Sequence, residues 1–125
     1  MDSIMNTFSS EELLAMVGTD HEMLCQLREI FEEEAPRVLQ EIRDAVGARN
    51  AAALEHHTHL MKNVLASVGG QASREIAITM ERAARAQDLR ETETLTDRLA
   101  HEIDALRVAL DSFITEQSNR GRAKH

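Results

Sequence analysis

The chain has 125 residues, 42% of them hydrophobic, with a formal net charge of −8 and a mean hydropathy of −0.36, a profile that fits one domain able to bury a single core. Aromatic residues make up only 2%, with no Trp or Tyr, which favours helix-on-helix packing over a β core. The acidic balance argues against nucleic acid as a partner, because such binders cluster Lys and Arg against phosphates.

No apolar run approaches the roughly 18 residues a membrane span needs, and Met1-Asp2-Ser3-Ile4 lacks the basic and apolar regions of a signal peptide. A cytoplasmic protein and a monomer are expected. Cys25, the single cysteine, has no partner for an internal disulfide and is expected to be a buried, small apolar residue.

Helix punctuation is clear along the chain. Ser9 with Glu12 reads as a capping box, with Phe8 and Leu13 as its hydrophobic staple, and the short helix it opens should end at Gly18. Thr19 with Glu22 repeats the box and opens a long helix to about Val46, closed by Gly47. Its stripe is Leu24, Leu27, Phe31, Val38, Ile42 and Val46, and Pro36 inside it should bend rather than end it. Asn50 caps a third helix that stops at Gly69-Gly70. A fourth spans about Gln71 to Gln87 with Ala72, Ile76, Met80 and Ala83 inward, and a fifth, from about Arg90 to Gln117, buries Leu95, Leu99, Ile103, Leu106, Leu110 and Phe113. Short connections make neighbours antiparallel. The predicted fold is all-α, an up-down-up-down four-helix bundle with the short extra N-terminal helix across one end. It forms a single domain over residues 1–125, with a core of about 8–117. The remaining 118–125, with Arg120, Arg122 and Lys124, reads as a solvated, frayed basic tail.

The third helix carries the chemistry. At about 100° per residue its apolar stripe is Leu54, Thr58, Met61, Leu65 and Val68, and His59 falls roughly 140° from Leu54, away from that stripe. Lys62 and Asn63 follow His59 at i+3 and i+4 and flank the same imidazole. An exposed histidine beside a lysine suits chemistry with a phosphate-like group. A lone exposed histidine doing nothing is the bland alternative, as is a solvated Lys62.

The run His59-x-Met61-Lys62-Asn63, with Gly69 ten residues after His59, resembles the His-x-Leu-Lys-Gly…Gly signature of histidine-containing phosphotransfer (HPt) domains. Phe31-Glu32-Glu33-Glu34-Ala35-Pro36 resembles the family's acidic Phe…Ala-Pro stretch. Asn50 and Leu54 stand where members often carry the Asp and Leu that open the active-site helix. Met80-Glu81-Arg82-Ala83-Ala84-Arg85-Ala86-Gln87-Asp88-Leu89 is similar to the Leu-Glu-x-Ala-Ala-Arg-x-Gly-Asp ending of the next helix. The likeness covers about residues 20 to 114. It implies that His59 is the phosphoacceptor, that Lys62 stabilises the phosphoryl group, that Glu81 on the next helix orients the imidazole through Nδ1, that Asn63 and Ala66 face the docking partner, and that Gly69 terminates the helix. The implied partners are a response-regulator receiver domain and a hybrid sensor histidine kinase. The catalytic Asp and Mg²⁺ then belong to the partner, and this chain is a phosphocarrier binding no cofactor of its own.

Two departures from the pattern matter: Asn63 replaces the family's Gly, and Val64 replaces a small or hydroxyl residue. A helical side chain leans over the preceding turn, so Asn63 should lean toward His59 and crowd the phosphoryl space. An HPt-like adaptor that docks receivers without carrying phosphate is therefore the alternative, and a helical metal- or protein-binding module a weaker one. His56, His59 and Glu55 invite the metal reading, but metal sites usually take three or four ligands, and neither Glu-x-x-His nor His-Glu-x-x-His occurs. Glu81 as an exposed helix glutamate, Gln71 as a weaker polar candidate and His57 as a packed residue complete the expectations. His21, His101 and His125 show no constellation, and no phosphate loop or nucleophile elbow marks an autonomous enzyme.

Overall fold

The computed structural model describes residues 8–18 and 20–123, with side chains through residue 119. Five helices follow in order: α1 (Ser10–Val17), α2 (His21–Gly47), α3 (Ala51–Ala66), α4 (Gln71–Arg85) and α5 (Thr92–Ala123). The contacts α2–α3, α3–α4, α4–α5 and α2–α5 close a ring. Directions follow from the polar contacts between helices: Arg28 meets Asp111 and Arg43 meets Asp97 between α2 and α5, while His59 meets Glu81 and Glu55 meets Arg85 between α3 and α4. Both pairs of helices are antiparallel, and the molecule is the expected four-helix bundle. No strand occurs among the described residues.

The core is the sum of the helix stripes. Leu24, Phe31, Val38 and Ile42 of α2, Leu54, Met61, Leu65 and Val68 of the α3 segment, Met80 of α4, and Leu99, Ile103, Leu106 and Leu110 of α5 are all buried. Thr58 completes the α3 stripe by donating its hydroxyl to the Leu54 carbonyl at 2.7 Å, which satisfies the polar group inside the core. The α4 face is rotated from expectation. Ser73, Ala77, Glu81 and Ala84 are buried with Ile76 and Met80, whereas Ala72 and Ala83 are half-buried. Cys25 is likewise half-buried rather than enclosed, its Sγ 3.4 Å from His21 Nε2. On α5, Leu95 and Phe113 are half-buried and Ile114 is buried.

Helix ends differ from expectation in instructive ways. The Ser9 hydroxyl accepts from the Glu12 amide at 3.1 Å, but the other half of the capping box is redirected. The Ser9 amide donates to the Gly69 carbonyl at 2.8 Å, and the Glu12 carboxylate takes Gln71 Nε2 at 2.9 Å and Arg74 at 3.4 Å. Phe8 meets the Phe113 ring edge-on, centroids 5.5 Å apart, so α1 is tied across one end of the bundle. Asp20 caps α2, accepting from the Met23 amide; the expected cap Thr19 lies outside the described residues. α2 passes through Pro36 and includes Gly47. Its left-handed closing residue is Arg49, with φ 53°, and the Asn50 amide reaches back to Ala45. Asn50 caps α3 as expected, through the Ala53 amide at 3.0 Å. α4 closes the way α2 does, at Gln87 with φ 58°. α5 begins at Thr92 and continues to Ala123, past the expected start of the tail, so the chain is still helical at Arg120 and Arg122.

Candidate phosphotransfer site

The α3–α4 hairpin builds the site. α3 ends in a Schellman motif: Gly69, at φ 71°, donates to Ala66, and Gly70 donates to Leu65 at 2.9 Å. A Cβ on Gly69 would lie 2.6 Å from the Ser9 carbonyl oxygen, and one on Gly70 2.6 Å from Leu106 Cδ2. The two glycines therefore do more than stop the helix. They let α1 and α5 close over the turn.

His59 stands midway along α3 with its side chain 54% exposed, on the side opposite the buried stripe. Glu81, on α4, is 8% exposed and reaches both site residues of α3 at once. One oxygen, Oε2, lies 3.0 Å from His59 Nδ1, and the other, Oε1, accepts from Lys62 Nζ at 3.0 Å. Burial pushes the Glu81 carboxyl upward, but the Lys62 ammonium and the His59 ring N–H outweigh it and hold the acid below its ordinary value. An ionised carboxylate can only accept. Nδ1 therefore carries a ring proton, and in the neutral imidazole the lone pair is on Nε2. Glu81 is thus a buried acceptor rather than an exposed helix glutamate.

Lys62 is 28% exposed, its stem along the bundle and its ammonium on Glu81 rather than in solvent. Asn63 is exposed and Ala66 half-buried on the same helix. The Asn63 amide makes no hydrogen bond to the imidazole, whose Nδ1 is taken by Glu81. Val64 turns partly inward and packs against the core.

Arg85 was missed by sequence reasoning. One helical turn beyond Glu81, it places Nε 3.0 Å from Glu55 Oε2 and Nη2 3.4 Å from Glu81 Oε2. Its spacing from Glu81 was readable, but nothing in the sequence joins it to Glu55 across the hairpin. With His56, His59, Lys62, Ile78 and Glu81 it lines a groove of about 690 Å³.

The other candidates lie apart. His57 sits toward α2, with Nδ1 3.3 Å from Glu41 Oε1 but not aligned for a hydrogen bond. Gln71 belongs to the Glu12 anchor of α1. No group of three His, Cys, Asp or Glu side chains able to hold a metal occurs among the described residues, nor does any helix long and apolar enough to cross a membrane.

Comparison with known proteins gives the geometry its context. In structure the chain is similar to histidine-containing phosphotransfer protein B (HptB) from Pseudomonas aeruginosa PAO1, with a TM-score of 0.81 over 88% of this chain and 96% of that one, at 18% identity. At that identity the likeness speaks for the fold. No curated protein sequence matches. The family model for the Hpt domain matches residues 26–109, a stretch that holds α3, α4 and every side chain of the site. By that match, over more than half of its length, the chain belongs to the Hpt domain family and has a role in phosphotransfer signalling.

Proposed function

We propose that the protein is a phosphorelay intermediate that accepts a phosphoryl group on His59 from a receiver-domain aspartate of a hybrid sensor kinase and passes it to a second response-regulator receiver. The observation that supports this most is the exposed His59 ring, whose Nδ1 is committed to a buried carboxylate. A nucleophilic imidazole needs its proton fixed on one nitrogen and its lone pair on the other, aimed outward. The Nε2 lone pair attacks phosphorus in line, and the P–O bond to the aspartyl carboxylate breaks. That carboxylate leaves with the bonding electrons, and the ring, still protonated at Nδ1, becomes an imidazolium bearing the phosphoryl group.

Each neighbour has a part in this reading. Glu81 stabilises the positive ring formed by attack. Lys62 supplies a compact positive charge for the phosphoryl oxygens. The catalytic aspartate and Mg²⁺ come from the receiver, and this chain acts as a carrier in the cytoplasm. The receiver docks over His59, Lys62, Asn63 and Ala66. α1 lies across the neighbouring end of the bundle and supplies Met16, 52% exposed, as an apolar contact.

The test is incubation with a phosphorylated receiver and Mg²⁺, followed by mass spectrometry at alkaline pH, where phosphohistidine survives. Phosphate is expected on His59. Its appearance on His56 or His57 alone would overturn the assignment. Asn63, exposed one turn from His59, supports the second reading, an adaptor that binds receivers without being phosphorylated. Binding with no transfer to any receiver would select it.

A further inference from the structure

We propose that Arg85 is a positioning residue that takes over the Glu81 carboxylate when Lys62 turns to the phosphoryl group, so that the site exchanges one ion pair for another during transfer. The inference rests on the phosphoacceptor reading of His59 and adds a consequence of where the charges sit. The Lys62 ammonium is held 3.0 Å from Oε1, so each step toward a phosphoryl group on Nε2 draws its charge off Glu81. Glu81, 8% exposed, then keeps only the ring cation close by, and a buried carboxylate with one fewer cation beside it is less favourable.

Arg85 is placed to resolve the conflict. Its Nη2 stands 3.4 Å from Glu81 Oε2, beyond the usual length of a strong charged hydrogen bond, while its Nε is fully engaged with Glu55 at 3.0 Å. A guanidinium offers several donors in one plane, so a small advance shortens the Glu81 contact without releasing Glu55. The side chain is 62% exposed, and packing does not lock it.

The charges balance. A neutral His59 and an acyl phosphate dianion become a carboxylate and a phosphohistidine whose dianionic phosphoryl sits on a cationic ring. The new negative charge draws Lys62 outward. Arg85 moves onto the oxygen beside the ring proton and keeps that proton on Nδ1.

The experiment loads His59 with phosphoramidate, a small donor whose nitrogen leaves as ammonia when Nε2 takes the phosphoryl group. Loading is followed by phosphorus NMR in the wild-type protein, Arg85→Ala, Arg85→Lys, Glu81→Gln and the Arg85→Ala/Glu81→Gln double variant, with thermal melts for each. Arg85→Ala should slow loading about fivefold at unchanged melting temperature, and Arg85→Lys should recover most of the rate. In the Glu81→Gln background there is no charge to compensate, so removing Arg85 should change nothing. Equal slowing in both backgrounds would mean that Arg85 meets the phosphoryl group itself, and the exchange would be refuted while the carrier reading stands. Uptake of no phosphate by wild-type His59, from this donor or a receiver, would end both. A direct reading needs no variant: the Arg85 side-chain N–H signals of the wild-type protein should shift and sharpen on phosphorylation. Signals that stay where they are would refute the exchange.

Discussion

Gly69→Ala and Gln87→Gly together separate two effects that meet at the α3–α4 turn. Both residues are left-handed helix closers, at φ 71° and φ 58°, but only Gly69 has a neighbour where a Cβ would go. In Gln87→Gly, relief of a left-handed L-residue is worth about 1–2 kcal/mol, and the more flexible unfolded chain takes back about 0.4–1. A net gain of roughly 0.5–1 kcal/mol is expected. Gly69→Ala reverses that balance and adds a contact. Its Cβ would lie 2.6 Å from the Ser9 carbonyl oxygen, closer than non-bonded atoms approach, and that oxygen belongs to rigid backbone. Ser9 must withdraw, giving up its bond to the Gly69 carbonyl at about 1 kcal/mol and part of the burial of Leu13. The total loss should be about 2–3 kcal/mol, or roughly 8–12 °C in Tm for a domain of this size. Urea melts give the free energies, and amide exchange at Leu13 tells whether α1 has lifted. A Gly69→Ala loss no larger than the Gln87→Gly gain, with Leu13 still protected, would refute the claim that Gly69 exists to admit α1.

Other expectations concern the site itself. Lys62→Ala should slow phosphotransfer on the order of 10²-fold, the scale of one lost contact to a developing charge, while the bundle still folds; unchanged kinetics with a cognate receiver would remove Lys62 from the mechanism. Asn63→Gly should speed transfer while lowering stability by about 1 kcal/mol or less, the propensity cost of glycine inside a helix. Slower transfer in that variant would show that the Asn63 amide takes part. Glu81 is held below its ordinary value of 4.5, with its ion pairs outweighing its burial. Its share of stability is therefore present above that value and lost as pH falls through the folded value. Urea melts below pH 5 should show a shallower acid loss for Glu81→Gln than for the wild-type protein; parallel curves would contradict this.

The third helix was legible because its signals agree. Leu54, Thr58, Met61, Leu65 and Val68 sit on one arc, all five are buried, and the histidine on the opposite arc could only face outward. The fourth helix was harder. Ile76 and Met80 leave the inward direction open between Ala83 and Ala84, and small residues carry little apolar contrast. The one residue that would have settled it, Glu81, is a charge that pattern reading sends to solvent. It is buried because Lys62, His59 and Arg85 come to it from across the hairpin and along the helix, a fact of tertiary structure. Helix ends failed for a similar reason. Gly47 is the residue sequence reasoning expects to close α2, yet the chain spends the left-handed conformation on Arg49, and at α4 on Gln87, where the family pattern has glycine.

The hairpin of α3 and α4 has a consequence for how the protein comes into being. The ties that define the site join residues only 19 and 22 positions apart, and the Glu55–Arg85 tie joins residues 30 apart, whereas Arg28 and Asp111 are 83 apart. Contacts this local close with little loop entropy. α1 is anchored to the same hairpin, but at its turn, through the Gly69 carbonyl, Gln71 and Arg74, about two helical turns from Lys62 and Glu81. Under the proposed docking of a receiver beside α1, changes on its exposed face, at Met16 above all, would alter which receivers bind and leave the ties around His59 in place.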